Sequence, residues 1–378
     1  MTIYLDHNAT TQPDDAVVAA MLPVLRKEFG NAAAQHRGGR AAANRVRAAA
    51  ESVAQLLGVS AGRLIWTSGA TESLGTAIRA AAQTHPHLIS AVTEHRAVLD
   101  SLEYHRAQGG PMAWAELNRQ GLVDPAALTS VLETVQGRAT VVLSAANNET
   151  GVLNDIPTLT EITHEHGGVF VCDATQAVGK IPVDLSSVDF AACSAHKLYG
   201  PQGVGVLVVP RGVPAMPLIH GGGHQRGWRS GTLNLPGIVG LGAAASVALE
   251  LLDSEPQRQS RLRDLLEQLL EESVGETHVN GGGAPRLPNT LNIRLPGVPA
   301  EALITRCPDL LFSTGSACTS SVPHPSHVLT GMGFDEVHAE ESIRLSIGRT
   351  TSTRDIRCAV DELTEAATAV RQLMQEAS

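Results

Sequence analysis

The chain carries Ser194-Ala195-His196-Lys197-Leu198-Tyr199-Gly200-Pro201 directly after an apolar, strand-like run at residues 188–193. A lysine that closes a strand and enters a turn rich in Gly and Pro lies at the edge of a sheet, facing a crevice. There its amine can be desolvated and become nucleophilic enough to form a Schiff base with a carbonyl group. A solvated surface lysine is the ordinary alternative, and the rest of the sequence must decide between the two.

Short apolar runs of the same kind recur on both sides of this lysine. Most are separated by helical patterns of ten or more residues, and such alternation is typical of crossover units in a parallel sheet. We therefore predict an α/β fold, with a mostly parallel sheet flanked by helices in a large domain at residues 14–255. The predicted strands are at residues 64–67, 88–92, 140–144, 169–172, 190–193 and 203–209.

The pattern changes beyond residue 256. A helix, a strand, a loop rich in Gly, Ser and Thr at residues 313–323, another strand and a final helix predict a smaller α+β domain at residues 256–378, joined by the N-terminal segment 1–13. The apolar stripe of the final helix comprises Ile356, Val360, Leu363, Ala367, Val370 and Met374. Near the N-terminus, residues 30–39 are predicted to be a loop between two helices.

Composition excludes several classes of function. The chain has 378 residues, a net charge of −10 and 3% aromatic residues, which disfavours direct nucleic-acid binding. The first residues lack the pattern of a secretory signal, and the longest apolar runs are too short to span a bilayer. Five irregularly spaced cysteines indicate neither a disulfide framework nor a paired CxxC. We expect a cytoplasmic protein without membrane attachment or a metal site.

Polar residues follow several of the predicted strands, where an open parallel sheet collects ligand groups. Ser68-Gly69-Ala70-Thr71 joins a strand to a helix, and the free N–H groups there suit a phosphate, although a simple N-cap is the alternative. Asp173 ends another strand, 24 residues before Lys197. It either caps a following helix or keeps a pyridinium nitrogen protonated. His95 is either a surface imidazole or a ring that stacks on a planar cofactor.

Three further features lie outside those turns. Cys318 lies in the polar loop 313–323, where an exposed thiol suits nucleophilic or sulfur-carrying chemistry better than a core position. Arg344, on a predicted strand, could bind a carboxylate with two hydrogen bonds or form a structural ion pair. The glycine-rich segment 220–232 could hold a phosphate or form a surface hinge. A lysine, a strand-end Asp, a phosphate turn and a stacking His together are what pyridoxal phosphate requires.

Six motifs also occur in the order found in a known family. The chain resembles the NifS/IscS-type cysteine desulfurases, which are pyridoxal-phosphate enzymes of the class V aminotransferase group, from residue 3 to about residue 350. The motifs are Tyr4-Leu5-Asp6-His7-Asn8-Ala9-Thr10-Thr11, Ser68-Gly69-Ala70-Thr71-Glu72-Ser73, Asn147-Asn148-Glu149-Thr150-Gly151, Asp173-Ala174-Thr175-Gln176, Ser194-Ala195-His196-Lys197 and Gly315-Ser316-Ala317-Cys318-Thr319-Ser320.

The resemblance implies the fold of type I pyridoxal-phosphate transferases and a role for each matched residue. Lys197 would carry the cofactor as a Schiff base and move protons at the substrate Cα, His95 would stack on the ring and act as an acid or base, and Asp173 would pair with the pyridine nitrogen. The other expected contacts are Gln176 and Asn148 at the phenolic oxygen, Ala70, Thr71, Ser194 and His196 at the phosphate, Thr232 from the partner subunit of a homodimer, and Asn8, Asn148 and Arg344 at the substrate.

The reaction implied by the resemblance is removal of sulfur from L-cysteine. The Cys318 thiolate would attack the substrate sulfur, L-alanine would leave, and the persulfide would pass to an acceptor protein such as an iron–sulfur scaffold or a thiolation enzyme. The chain departs from the family pattern at Leu74-Gly75, Gln202, Gln225 and Trp228, none of which removes a catalytic group. A selenocysteine lyase or aminotransferase of the same fold, or a non-catalytic scaffold, remain alternatives.

Overall fold

The computed structural model describes residues 2–135, 138–314 and 325–376. Cys318 and the rest of residues 315–324 in the predicted loop lie outside the described residues. The strands are β1 (Ile3–Tyr4), β2 (Leu64–Thr67), β3 (His87–Ser90), β4 (Met112–Trp114), β5 (Ala139–Ser144), β6 (Val169–Asp173), β7 (Phe190–Ser194), β8 (Gly205–Val208), β9 (His278–Val279), β10 (Thr290–Arg294), β11 (Leu310–Leu311) and β12 (Ser342–Ser346).

Helices connect most of these strands. They are α1 (Asp15–Arg26), α2 (Arg37–Leu56), α3 (Ala70–Ala82), α4 (Arg96–Ala107), α5 (Pro125–Thr134), α6 (Ile156–Glu165), α7 (Leu235–Leu251), α8 (Glu255–Val274), α9 (Ala300–Arg306), α10 (His327–Gly331), α11 (Glu336–Glu340) and α12 (Thr353–Glu376). Short 3-10 turns lie at Ala61–Arg63, Ala195–Lys197 and Gln225–Gly227.

The main sheet has the strand order β2-β8-β7-β6-β5-β3-β4. Neighbouring strands from β7 to β4 are parallel, whereas β8 runs antiparallel to both β7 and β2. Successive residues of one strand enter different cores, as Val141 and Val142 of β5 do, because side chains alternate between the faces of a sheet. The predicted α/β fold, with a mostly parallel sheet flanked by helices, is confirmed.

Both edges of the main sheet contain features that the sequence did not reveal. Strand β4 was missed because it is short and its Trp114 is exposed. At the other edge, the side-chain amide of Gln225 accepts a hydrogen bond from the Trp66 N–H (2.7 Å) and donates one to the Trp66 carbonyl (2.9 Å). The Arg226 guanidinium donates to two further carbonyl oxygens beside this strand. Side chains therefore satisfy part of the edge of β2.

A second apolar core lies under the sheet β12-β10-β9 and the helices α8 and α12. Ile3 and Leu5 belong to it, since β1 pairs with β11 and the segment after β1 reaches β12. This packing supports the assignment of the N-terminal segment to the smaller domain. The division into residues 14–255 and 256–378 remains our proposal.

Two helix boundaries are set by side-chain caps. Helix α2 begins at Arg37, so the predicted loop 30–39 was too long; the His36 ring accepts a hydrogen bond from the Gly39 N–H at 3.2 Å. Helix α12 begins after Ser352, whose hydroxyl and N–H exchange hydrogen bonds with Asp355 as a capping box.

Among the described residues, no single helix is long and apolar enough to cross a membrane. Helices α7 and α8, bent by 76° at the break between them, reach that length and composition as a pair. Helix α7 is largely buried against α1 and α2.

Helix α12 allows a matched test of the second core. Leu363 is fully buried there, whereas Met374, which belongs to the predicted stripe, is 54% exposed. We expect Leu363→Ala to lower the free energy of unfolding by about 3 kcal/mol, because it removes buried methyl groups and leaves a cavity. Met374→Ala should change it by less than about 0.5 kcal/mol. Urea unfolding followed by circular dichroism measures both, and equal losses would contradict this packing.

Candidate active site

A cleft of about 800 Å³ opens at the carboxyl ends of three neighbouring strands. Ser144, Asp173 and Ser194 are the last residues of β5, β6 and β7, and all three line it. This is where an open parallel sheet is expected to bind ligands. The cleft is also lined by the predicted site residues Asn8, Ala70, Thr71, His95, Asn148, Gln176, His196, Lys197 and Arg344.

Lys197 lies in the 3-10 turn that follows β7, with its amine in the cleft. Its Nζ donates hydrogen bonds to the carbonyl oxygens of Asn8 and Ala9, each at 2.6 Å. Burial lowers the pKa of this amine to about 8, and the positive charge of Arg344 acts in the same direction. The amine is therefore much closer to its neutral, nucleophilic form at physiological pH than an exposed lysine is.

Asp173 is buried and points its carboxylate into the cleft. Its Oδ1 accepts the Thr175 N–H at 2.9 Å, which closes a turn. The alternative that Asp173 caps a following helix is wrong, since the described residues 174–181 form turns and bridges. Asp173 raises the pKa of its neighbours His95 and Lys197, so its negative charge acts across the cleft.

His95 lies at the N-cap of α4, where its Nδ1 accepts the Ala97 N–H at 3.1 Å. A neutral ring that accepts at Nδ1 carries its proton on Nε2. Burial lowers the pKa of His95, with Lys197 contributing and Asp173 opposing. His95 is therefore mainly a neutral imidazole at pH 7, and it is exposed to solvent where it lines the cleft.

Glu94, beside His95, was missed by the sequence reasoning. Its Oε1 accepts hydrogen bonds from the N–H (2.9 Å) and the hydroxyl (3.1 Å) of Ser144. Burial raises the pKa of Glu94 to about 8, and the negative charge of Asp173 adds to this. A protonated Glu94 thus supports the strand end of β5 without adding a second negative charge beside Asp173.

The first turn of α3 lines one end of the cleft and has the features that suit an anion. The leading N–H groups of a helix, here those of Ala70 and Thr71, have no intrahelical acceptor and carry the positive end of the dipole. Glycine at position 205 lets β8 approach this turn, because a Cβ there would lie 2.6 Å from the Gly69 Cα. The neighbouring His196 has a pKa lowered to about 4, mainly by burial, and is therefore a neutral hydrogen-bonding group.

The turn is further fixed by Glu72. One oxygen of its carboxylate accepts the Ser68 N–H at 2.7 Å, and the other forms an ion pair with Arg229 at 3.1 Å. Arg229 belongs to the glycine-rich segment 220–232, so this segment supports the phosphate turn within one chain. The ion pair also offsets a negative charge that would otherwise oppose an anion at the helix N-terminus.

Arg344 forms the structural ion pair that was one of its two interpretations, while binding of a substrate carboxylate remains a prediction. It lines the cleft, and its Nη2 forms an ion pair with Asp6 at 2.7 Å and donates to the Ser313 hydroxyl at 3.0 Å. Its Nη1 donates to the Asn148 carbonyl at 3.0 Å. The Nε is buried and has no hydrogen-bond partner among the described residues, which leaves a donor for a bound ligand.

One predicted site residue lies away from this cleft. Thr232 is exposed and does not line the cleft of its own chain, and its action in a partner subunit remains a prediction. Cys318 lies outside the described residues. The sequence reasoning also missed Asp6 and Lys180, although Asp6 lies inside a quoted motif and lysine is rare in this chain.

The cleft suits a phosphorylated aldehyde with a basic ring nitrogen. The helix N-terminus with Ser194 and His196 fits a phosphate, the Lys197 amine fits the aldehyde, and the Asp173 carboxylate fits a protonated ring nitrogen. Besides the Arg344 Nε, the buried Thr175 hydroxyl has no partner among the described residues. The donor set of the cleft thus agrees with bound pyridoxal phosphate.

The family model for aminotransferase class-V matches residues 3–358. The chain belongs to the class V aminotransferase family. This family member is 44% identical over 370 residues to cysteine desulfurase IscS from Anaeromyxobacter dehalogenans (strain 2CP-C), covering 95% of this chain and 90% of the relative.

Two solved structures share the fold of this class V aminotransferase. A NifS-like protein superposes with a TM-score of 0.89 at 33% identity, covering 97% of this chain and all of the other. SspA in complex with cysteine superposes with a TM-score of 0.80 at 29% identity, covering 92% and 99%.

The low pKa of Lys197 has a direct chemical consequence. Only the neutral amine reacts with electrophiles, so modification of Lys197 should accelerate by about tenfold per pH unit up to pH 8 and then level off. Asp6→Asn should move this midpoint to lower pH, because it removes a negative charge that raises the pKa. Peptide mapping after brief treatment of the cofactor-free protein with an amine-directed reagent measures the rate, with exposed Lys27 as the internal reference. A midpoint near pH 10.4 would contradict the burial of this amine.

Proposed function

We propose that the protein is a cysteine desulfurase, which converts L-cysteine to L-alanine and leaves the sulfur as a persulfide on Cys318. The observation that carries this proposal is the half-buried Lys197 amine with its lowered pKa at the strand ends, beside Asp173 and the phosphate turn. Its place in a chain 44% identical to cysteine desulfurase IscS supplies the substrate class.

Class V aminotransferases and cysteine desulfurases generally depend on pyridoxal 5'-phosphate. When bound, this cofactor supplies an electron sink for bond breaking at the substrate Cα. Lys197 would hold it covalently, Asp173 would keep its ring nitrogen protonated, and His95 would stack on the ring. The phosphate would be held by Ala70, Thr71, Ser194 and His196, and the phenolic oxygen would face Gln176 and Asn148.

Arg344 is the residue that would bind the substrate carboxylate. Asp6 already occupies its Nη2, so the substrate would have to share or replace that ion pair. The Asn8 side chain is turned toward Thr290 and Lys180, at 2.9 Å and 3.2 Å. We infer that Asn8 acts chiefly by holding neighbouring residues of the substrate region in place, whereas Asn148 and Arg344 would face the substrate.

Proton transfer would fall to Lys197 and His95. The Lys197 amine, with its pKa near 8, can remove a proton from the substrate Cα and return it. The His95 ring can accept or donate a proton at the substrate, because its ordinary charge is suppressed by burial.

Cys318 would complete the reaction as the nucleophile. Its thiolate would attack the substrate sulfur, forming the S–S bond while the C–S bond breaks. The electron pair of the C–S bond would remain with the three-carbon fragment, which would take up a proton at Cβ and leave as L-alanine. The persulfide would then pass to a sulfur-acceptor protein, either an iron–sulfur scaffold or a thiolation enzyme. We propose that the protein is a homodimer that carries out this reaction in the cytoplasm. We propose no direct contact between the protein and nucleic acid or a membrane.

A comparison of two cysteines tests the reaction. Cys318→Ala should lower sulfide release from L-cysteine by about hundredfold or more, because it removes the sulfur-accepting nucleophile. Cys358→Ala, a change in the partly buried thiol of α12, should leave release unchanged. Sulfide and alanine are measured together, with reductant present. Unimpaired turnover by Cys318→Ala, with an oxo acid as the product, would indicate an aminotransferase instead.

Mixed dimers test whether Thr232 acts in the partner's cleft. One dimer pairs a Lys197→Ala chain with a Thr232→Ala chain, and the other pairs the double variant with an unchanged chain. In the second dimer the one intact Lys197 site lacks the partner's threonine, so it should lose cofactor about tenfold faster. Absorbance after dilution follows the loss. Faster loss from the first dimer would place Thr232 in the cleft of its own chain.

A further inference from the structure

Lysine is rare in this chain, and its distribution is uneven. The sequence holds three lysines, Lys27, Lys180 and Lys197, among 378 residues. Lys27 is exposed after α1, whereas Lys180 is buried beside the cleft that holds Lys197. Burial of a lysine is costly and calls for an explanation, because charged side chains are seldom fully buried unless they are paired.

The Lys180 amine is held by two side-chain oxygens. Its Nζ donates to the Gln176 Oε1 at 2.5 Å and to the Asn8 Oδ1 at 3.2 Å. The Gln176 Nε2 in turn donates to the Asn8 main-chain oxygen at 3.0 Å. The same oxygen accepts the Lys197 Nζ at 2.6 Å. A continuous set of hydrogen bonds thus joins the buried Lys180 amine to the half-buried Lys197 amine.

The turn that carries Lys180 is adapted to this position. Gly179 has a φ of +76°, and a Cβ there would lie 3.1 Å from the Cβ of Leu198, the residue after Lys197. Glycine therefore meets both the backbone conformation and the close approach. The turn packs directly against the segment that carries Lys197.

The surroundings of Lys180 indicate an uncharged amine. The ionisable groups that face it are Lys197, Arg344, His7 and His196, and no salt bridge to it occurs within the described residues. A neutral amine has two N–H groups, which match its two acceptors. Burial, reinforced by Lys197 and Arg344, lowers the pKa of Lys180 well below its usual range. The side chain thus acts by hydrogen bonding rather than by charge.

We propose that Lys180 is a positioning residue that, by holding Gln176 and Asn8, fixes the main-chain oxygen that receives the Lys197 amine. This inference rests on the role of Lys197 in the proposed function, but its geometry does not involve the substrate. Without Lys180, the oxygens of Gln176 and Asn8 lose a buried donor, and the Gln176 amide is free to turn away from Asn8. The charged form of Lys197 then loses a fixed acceptor.

The three lysines make the test direct. Full-length, cofactor-free protein labelled with ¹³C at the lysine Cε gives one signal for each lysine, and Lys27→Arg and Lys180→Met assign them. We expect Lys180→Met to lower the pKa of Lys197 by about one pH unit, because the ammonium form loses hydrogen-bond support. Lys27→Met, which changes an exposed lysine, should leave that pKa unchanged.

Gln176→Leu removes the hydrogen bonds of the Gln176 amide while keeping Lys180, so it should lower the pKa of Lys197 in the same way. If Lys180→Met does not fold, Gln176→Leu provides the test in its place. In the double variant, the pKa of Lys197 should fall no further than in either single variant, because both substitutions break the same set of hydrogen bonds. In the holoenzyme, Lys180→Met should release the cofactor about tenfold faster. A rise in the pKa of Lys197 would show that Lys180 acts as a charge, and no change would refute the link. Because the pKa of Lys197 is measured in the cofactor-free protein, the test gives its result even if the protein has no desulfurase activity.

Discussion

The main-chain oxygen of Asn8 is the contact on which the cleft depends. A buried amine must find acceptors, and this oxygen serves both Lys197 and the Gln176 amide. The N-terminal segment that supplies it starts in the second core with Ile3 and Leu5 and then crosses to the strand ends of the main sheet. At the end of this segment, the Thr11 hydroxyl donates a hydrogen bond to the His196 carbonyl oxygen. The nucleophilic lysine is thus held jointly by both cores.

Burial sets the protonation states around that lysine. It lowers the pKa values of His95 and His196 and raises that of Glu94, so these three neighbours are mainly neutral at pH 7. It also lowers the pKa of Lys197 to about 8. The electrostatic field of the cleft then comes mainly from Asp173, from the Asp6–Arg344 pair and from the helix N-terminus at α3. Neutral bases beside a fixed carboxylate are a suitable environment for repeated proton transfer.

The sequence was most informative for residues whose chemical role can be predicted from their position next to a predicted strand. Asp173 ends one short apolar strand and Lys197 lies in the turn that follows another, and parallel pairing of β6 and β7 brings them to one edge. The family resemblance and the fold class are confirmed, while the residue roles remain predictions. Lys180 and Glu94 could not be found in the same way, because their importance arises from burial and from contacts with distant residues. The reversed direction of β8 likewise depends on pairing that no local pattern records.

The amide of Gln225 that covers Trp66 has a consequence for self-association. An outer strand with free N–H and C=O groups invites a strand from another molecule, and proteins protect such edges with side chains, bulges or charges. Gln225 imitates the missing strand by offering one donor and one acceptor at the right spacing, and Arg226 places a positive charge beside it. Loss of these side-chain contacts would therefore cause the protein to aggregate before it reduced turnover.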